Sequence, residues 1–143
     1  MEPLVVPAVL DSLDQIGRAV LDAARAADLD RKATYRLRLA VDEVATNIIT
    51  HGYQEANLTG DIALAVELDS ATLTIALEDE AIPFDPRGEG TPEQIHESLD
   101  ERPIGGLGVF LALKNVDRFD YQRAGDKNRN VFVMNRTPLE ATG

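Results

Sequence analysis

The sequence contains two polar residues, Glu43 and Asn47, whose spacing would place them side by side on a helix. Residues four apart lie on the same helical face, one turn from each other. A carboxylate and an amide placed in this way could draw a proton from a nucleophile and ligate one magnesium ion. The same spacing also occurs on helix faces that only contact solvent, so the pair indicates chemistry only together with other residues.

Asp79 is a second candidate, because of its place in the alternating pattern that precedes it. Leu73, Ile75 and Leu77 share one side of a predicted strand, and the same parity places Asp79 on that inward side. A buried carboxylate needs a specific hydrogen-bond partner, and the exocyclic amine of an adenine is a natural one. If the strand ends earlier, Asp79 only starts a turn, and the local sequence leaves both interpretations open.

A glycine-rich segment precedes an almost wholly apolar run at residues 109–116, which predicts a buried helix. The segment consists of Gly105, Gly106, Leu107 and Gly108. The unpaired amides and the dipole of a helix N-terminus attract anions, and glycines let phosphates approach the backbone. The segment is not a P-loop, because no Gly-Lys-Ser/Thr follows, and it follows a long loop rather than a strand. Alone, it could equally be a tight turn.

Helical and strand periodicity predict the elements that must position these residues. The apolar residues 4–6 predict an edge strand. One helix is expected to begin with Asp11 or Ser12 as its cap. A second helix, which carries Glu43 and Asn47, is expected to begin at an Asp30 cap and to stop at residues 51–53, where Gly52 can serve as the C-terminal stop.

The second half of the sequence predicts two hairpins on either side of a long loop. Alternation over residues 62–77 predicts the first hairpin, and proline and glycine mark a loop at 81–104 that can hold a short helix. The second hairpin follows the apolar helix, with a turn at 125–130 and its last strand at 131–134. The fold class is therefore a two-layer α+β sandwich, with helices on one face of a mixed, mostly antiparallel sheet.

The composition limits the classes of partner and site. The 143 residues carry 25 acidic and 14 basic side chains, a net charge of −11, which argues against binding nucleic acid or anionic membranes. There is no cysteine, and the two histidines are far apart, so neither disulfides nor a zinc site are expected. No apolar run reaches the ~20 residues that span a bilayer, and no signal peptide is evident, so we expect a cytoplasmic protein. The length suits one domain over residues 1–143.

The three candidate segments occur in an order that resembles a known family. Residues 41–53, 78–86 and 104–111 look like the N, G1 and G2 boxes of the GHKL, or histidine-kinase-like, ATPases. More narrowly, they resemble the RsbW/SpoIIAB family of serine-protein kinases and anti-sigma factors. The most specific pieces are Pro-Phe-Asp-Pro at 83–86 and Gly-Gly-Leu-Gly-Val-Phe-Leu at 105–111. The resemblance covers nearly the whole chain and implies the Bergerat fold.

The resemblance implies a role for each matching residue in binding ATP and transferring its phosphate. Asn47 would hold the Mg²⁺ that bridges the phosphates, Asp79 would recognise adenine, and Glu43 would be the general base for a substrate serine. Gly106 and Gly108 would let the phosphates sit at the helix start, with residues of about 85–104 closing as a lid. The further nucleotide contacts that it implies are Ala81, Phe84, Gly105, Leu107 and Val109.

The resemblance also implies partners, and it has one departure. The partners would be a STAS-type anti-anti-sigma protein, phosphorylated on serine, and a sigma factor held by a dimeric kinase. The first strand could pair across that homodimer, because an exposed edge is a template for another strand.

The family's middle segment usually reads Asp-x-Gly, whereas here Ala81 takes the glycine position. If the backbone needs a positive φ there, the methyl group would weaken ATP binding.

Other functions remain possible from the sequence. A sensor histidine kinase would carry a phospho-acceptor histidine on an upstream helical hairpin, and the first 50 residues contain none. Gyrase-type or Hsp90-type ATPases need a second domain. The main alternative is a non-catalytic, nucleotide-gated binding module. The pair Glu43 and Asn47 argues against this alternative, whereas Ala81 leaves it open. A second alternative is a kinase of the same type whose target lies outside sigma pathways.

Overall fold

The computed structural model describes residues 2–86 and 112–136, and these form one sheet with helices packed on it. The strands are β1 (Leu4–Pro7), β2 (Asp61–Leu68), β3 (Thr72–Asp79), β4 (Arg118–Ala124) and β5 (Lys127–Asn135). The helices are a 3₁₀ turn (Leu10–Ser12), α1 (Leu13–Ala26), α2 (Arg31–Asn47) and a π-helix (Ile48–Gln54) that continues α2 directly.

The five strands lie in the order β1-β2-β3-β5-β4, and each neighbouring pair is antiparallel. The edge position predicted for the first strand is therefore confirmed. The register places Asp79, at the end of β3, opposite Ile62 on β2 and Asn128 on β5. Asp79 thus belongs to a strand that is paired on both sides rather than to an edge strand.

Apolar side chains from both helices and from one face of the sheet form a single buried cluster. Ile75, Leu77 and Phe132 contribute from the strands, and Leu37 and Val41 from α2, each at most 1% exposed. Burying a side chain of this size stabilises the fold by about 1.5–3 kcal/mol. The predicted two-layer α+β class is confirmed, and every strand pairing in the described residues is antiparallel.

The two helices begin differently. The predicted cap of α2 is confirmed, because Asp30 has extended dihedrals and its Oδ1 accepts a hydrogen bond of 2.7 Å from the backbone N–H of Ala33. The capping bond predicted for the first helix is absent. Ser12 precedes α1 but already has helical dihedrals, because it belongs to the 3₁₀ turn, and its side chain makes no capping bond.

The prediction that Gly52 serves as the C-terminal stop of the second helix is wrong. The chain continues through Gly52 as a π-helix, with the amide of Glu55 bonded to the carbonyl of Thr50 at 2.9 Å. Gly52 does not have a positive φ, and the left-handed residue beyond this segment is Asn57 (φ 58°). The absence of a side chain at Gly52 therefore serves packing, as described below, rather than a left-handed cap.

The predicted turn of the second hairpin is also wrong. The turn is only Gly125 and Asp126, with Gly125 at φ 62°, and β5 begins at Lys127 rather than Val131. Glycine reaches this left-handed conformation without steric cost. The earlier start of β5 brings Asn128 and Asn130 into the sheet.

The predicted short helix near residues 93–99 lies outside the described residues, as does most of the predicted apolar helix at 109–116. Of the latter, Ala112 and Leu113 are helical, and Ala112 and Val116 are buried. Among residues 2–86 and 112–136, no helix combines the length and the apolar character needed to cross a bilayer.

Candidate nucleotide-binding site

Asp79 is the last residue of β3, and its carboxyl group is buried, with 3% of the residue exposed. Its Oδ1 accepts two hydrogen bonds, at 2.9 Å from the N–H of Ala81 and at 2.8 Å from Nδ2 of Asn128. Its Oδ2 is buried and has no hydrogen-bond partner in the described residues. The prediction that the strand reaches Asp79 and turns it inward is confirmed, and the alternative of a simple turn is wrong.

Burial raises the pKa of Asp79 above its usual range. The hydrogen bonds from Asn128 and Ala81, and the positive charge of Arg123, favour the ionised form but do not offset the loss of solvent. A carboxylate with one unpartnered oxygen in a desolvated position is energetically costly. A ligand that donates a hydrogen bond to Oδ2 would reduce that cost.

Glu43 and Asn47 lie on consecutive turns of α2, as predicted. Asn47 ends the helix and is 8% exposed, and it lines a small cavity together with Asp79. Glu43 is half-buried and is not among the residues that line this cavity. Burial and, secondly, the adjacent charge of Asp42 raise the pKa of Glu43. A raised pKa makes a carboxylate a stronger base once it is ionised.

The cavity brings together four of the predicted site residues with five that the sequence did not single out. The predicted ones are Asn47, Asp79, Ala81 and Phe84. The others are Ile48, Gly52, Ile82, Asn128 and Asn130. The volume is about 10 Å³, which is room for roughly one water molecule.

Tyr53 holds the backbone on one side of this cavity. Its hydroxyl accepts a hydrogen bond of 2.9 Å from the N–H of Glu80 and donates one of 3.1 Å to the carbonyl of Asp61. Its ring packs closely on Gly60, where an added Cβ would lie 2.8 Å from it. The end of the π-helix thus fixes the segment that follows Asp79.

The β4–β5 hairpin holds the same segment from the other side. Asn128 donates to the carbonyls of Ala81 and Ile82 at 3.2 and 3.1 Å, and Arg123 donates to the carbonyl of Ala81 at 3.2 Å. The hydroxyl of Tyr121 accepts from the N–H of Phe84 at 3.3 Å and donates to Oδ1 of Asn128. The sequence analysis did not single out Tyr121 or Arg123, and it missed Asn128 and Asn130 because it assigned them to a turn.

The sequence does contain a pattern that indicates the burial of Asn128 and Asn130. Asn128, Asn130, Phe132 and Met134 alternate, and all four are buried on the same side of β5. An alternating segment that begins with polar residues is typical of a loop. It can be assigned to a buried strand only when the partners of the buried amides are known.

A family model described as the histidine kinase-like ATPase domain matches residues 6–135. The chain belongs to this family. Among its relatives is the serine-protein kinase RsbW of Bacillus cereus (strain AH187), 30% identical over 100 residues that cover 68% of this chain and 60% of the relative. RsbW of Staphylococcus aureus (strain MSSA476) is 30% identical over 92 residues, covering 62% of this chain and 58% of the relative. The resemblance to RsbW-type proteins that the three segments predicted is confirmed.

The match spans about three fifths of the length of these RsbW relatives. Among solved structures, the chain is similar to the histidine kinase domain from the Erythrobacter litoralis EL346 blue-light activated histidine kinase. That similarity has a TM-score of 0.49 at 17% identity and covers 91% of this chain and 60% of the other.

The segment that the sequence predicts to bind the phosphates falls outside the described residues. It includes the glycine-rich segment and its neighbour, that is, Gly105, Gly106, Leu107, Gly108 and Val109. Of the predicted lid at 85–104, only Asp85 and Pro86 are described. The roles predicted for these residues stay predictions.

Ala81, the departure from the usual Asp-x-Gly, is accommodated by Gly52. Ala81 is 3% exposed and does not have a positive φ, so its methyl group causes no backbone strain of the kind expected from the sequence. A Cβ added at Gly52 would lie 2.8 Å from the Cβ of Ala81. The two positions therefore share a space that holds one methyl group but not two.

Gly52→Ala is expected to destabilise the protein by about 1–3 kcal/mol, because the second methyl group overpacks this contact. Ala81→Gly in the same chain should restore most of the lost stability. Thermal unfolding of the two single variants and the double variant measures this coupling.

Gly17→Ala is the matched control for the Gly52 substitution. Gly17 lies within α1, where an added Cβ would meet only Arg38, at 3.6 Å or more. That change should leave stability unchanged or raise it by up to about 1 kcal/mol, since alanine is the better helix former. Additive effects at positions 52 and 81 would contradict the shared-space explanation.

Proposed function

We propose that this protein is an ATP-dependent serine-protein kinase and anti-sigma factor of the RsbW type, acting in a partner-switching module. The observation that carries the proposal is the carboxyl group of Asp79, which has one oxygen bonded within the protein and one buried oxygen without a partner. Asn47 lines the same cavity, and Glu43 lies one helical turn before it. Relatives named serine-protein kinase RsbW support the kinase activity.

The hydrogen-bonding groups that line the cavity complement those of an adenine base. Asp79 Oδ2 and Asn130 Oδ1 are buried acceptors without a partner in the described residues, and both residues line the cavity. Buried acceptors are nearly always satisfied, so a ligand with N–H donors suits them. The exocyclic amine of adenine carries two such donors. The apolar side chains of Ile48, Ile82 and Phe84 would cover the faces and edge of the ring.

Binding of a base requires the cavity to open. At about 10 Å³ it is far smaller than a purine, and Ile82 is 44% exposed at its rim. We infer that Ile82 and Phe84 move outward when ATP enters. Asp79 does not need to move, because its Oδ1 is fixed by the hydrogen bonds described above.

The phosphates and the metal would lie toward Asn47. The amide oxygen of Asn47 suits magnesium, which prefers hard oxygen ligands and keeps several waters, so one protein ligand together with phosphate oxygens completes its coordination. When bound, the ion would neutralise charge on the phosphates. The glycine-rich segment at 105–108 would cradle them with backbone amides.

Glu43 would then act as the general base in transfer to a serine. Its carboxylate takes the proton of the serine hydroxyl while the serine oxygen forms a bond to the γ-phosphorus. The bond from that phosphorus to the β–γ bridging oxygen breaks, leaving ADP and phosphoserine. Positioning and electrostatics supply most of the catalysis in such a reaction.

The partners that we propose are proteins: a STAS-type anti-anti-sigma protein as the substrate, a sigma factor as the sequestered protein, and a second copy of this chain. The net charge of −11 suits basic protein surfaces and disfavours nucleic acid and anionic membranes. Strand β1, which lies at the edge of the sheet in the described residues and where Val5 is 59% exposed, is the strand that we propose for pairing in the homodimer.

Transfer of labelled phosphate tests the proposal. The protein is incubated with γ-labelled Mg-ATP and a STAS-domain protein, and phosphoserine on the STAS protein is measured. We expect labelled serine that depends on magnesium. ATP binding without transfer to any STAS protein would favour a nucleotide-gated binding module, and no ATP binding would overturn both functions.

A further inference from the structure

Asn128 donates hydrogen bonds both to Asp79 and to the segment that follows it. Its Nδ2 donates to Asp79 Oδ1 at 2.8 Å and to the carbonyls of Ala81 and Ile82 at 3.2 and 3.1 Å. The residue is 2% exposed. These contacts link the last strand of the sheet to a segment more than forty residues earlier in the sequence.

The orientation of the Asn128 amide follows from the groups around it. Three acceptor oxygens face its Nδ2, and the hydroxyl of Tyr121 donates to its Oδ1. A flipped amide would bring its oxygen against all three acceptors, which is repulsive. Tyr121 is in turn anchored, since its hydroxyl accepts from the N–H of Phe84 at 3.3 Å. Tyr121 and Asn128 therefore form a hydrogen-bonded pair with one stable arrangement.

This pair decides which oxygen of Asp79 remains available. The N–H of Ala81 and Nδ2 of Asn128 both bond to Oδ1, which leaves Oδ2 as the unpartnered acceptor. Without Asn128, only the Ala81 bond would hold the carboxylate, and the plane of the carboxylate could turn about its last torsion to intermediate angles. The direction in which Asp79 accepts a hydrogen bond would then no longer be fixed.

We propose that Asn128, held by Tyr121, is a positioning residue that sets the base selectivity of the nucleotide site by aiming Asp79 Oδ2 at the exocyclic amine of adenine. This inference rests on the proposed binding of ATP. A fixed acceptor favours a 6-amino purine and disfavours a 6-oxo purine, whose oxygen would face another oxygen. A carboxylate free to rotate discriminates less between the two.

The test compares the affinities of ATP and inosine triphosphate, ITP, for the full chain and for Asn128→Ala, by calorimetric titration. We expect the variant to bind ATP about 10-fold more weakly, as for loss of one charge-assisted hydrogen bond, with little change for ITP. The preference for ATP over ITP should shrink by the same factor. Asn135→Ala, at an exposed asparagine on the same strand, should change neither affinity.

Tyr121→Phe gives a second variant that keeps the ring and the Asn128 side chain. It should reduce the ATP preference in the same direction but less, and add little to Asn128→Ala in the double variant. If Asn128 and Tyr121 had only a structural role, each variant would bind ATP and ITP more weakly by the same factor. The ratio of the two affinities would then stay unchanged, and that result would overturn the proposal. If the unmodified protein binds neither nucleotide, the proposed function fails as well, whereas an unchanged ratio with intact ATP binding rejects only the role of Asn128.

Discussion

Replacing Glu43 with glutamine is expected to lower phosphate transfer by about 10²–10⁴-fold, the usual contribution of a general base. Glutamine keeps the shape and the hydrogen-bonding reach of the side chain but cannot accept the serine proton. Because Glu43 does not line the cavity that holds Asp79, ATP binding should persist. Single-turnover transfer and equilibrium ATP binding, measured on the same preparation, separate the two effects. Transfer at an undiminished rate would remove Glu43 from this role.

The stability of the Glu43→Gln variant should not fall. Burial raises the pKa of Glu43, so its contribution to stability is present at acid pH, below the unfolded pKa, and is lost as the pH rises through the folded pKa. The ionised carboxylate is therefore a cost at neutral pH, and glutamine removes it. A loss of activity with an unchanged melting temperature would then reflect chemistry rather than folding.

The neighbouring acid provides a matched control. Asp42 is exposed, and its charge is the second cause of the raised pKa of Glu43. Asp42→Asn should keep transfer while lowering the pKa of Glu43, so the acid limb of the pH–rate profile moves to lower pH. A profile that does not move would indicate that another group limits the rate at acid pH.

Residues whose structure depends on local pattern were predictable from the sequence. The parity of Leu73, Ile75 and Leu77 placed Asp79 inward, and the position of Asp30 before an apolar stripe identified a helix cap. The spacing of Glu43 and Asn47 gave their common face on α2. Each of these features requires knowledge of only a few neighbouring residues.

Residues that act through distant contacts were not predictable. Asn128 is buried as part of a strand because Asp79, 49 positions earlier, accepts from its amide. Tyr53 holds the segment that follows Asp79 by accepting a hydrogen bond from Glu80, 27 positions later. Gly52 leaves room for the methyl group of Ala81. A period of 3.6 residues also does not distinguish the end of an α-helix from its continuation as a π-helix.

Asp79→Asn is expected to weaken ATP binding by roughly 10- to 150-fold, the effect of losing a hydrogen bond to a charged acceptor. The new amide can still accept from the N–H of Ala81 and from Asn128 through its oxygen. Its nitrogen then takes the position of Oδ2 and presents donors to the donors of the adenine amine. The affinity for ITP should rise relative to ATP, since a 6-oxo group accepts from that nitrogen. Glu80→Gln, at the adjacent exposed acid, should leave both affinities unchanged.

The same substitution should leave the nucleotide-free protein as stable as before, or more so, at neutral pH. Burial raises the pKa of Asp79, so its contribution to stability is complete below the unfolded pKa and disappears as the pH rises through the folded pKa. The unmodified protein therefore carries the cost of a buried, ionised carboxylate at neutral pH, and the amide removes that cost. Melting temperatures of the two proteins should converge at acid pH, where Asp79 is protonated, and differ most near pH 7. A variant that loses both ATP binding and stability at pH 7 would show that the ionised carboxylate holds the fold together, and that Asp79 is structural rather than an acceptor reserved for the base.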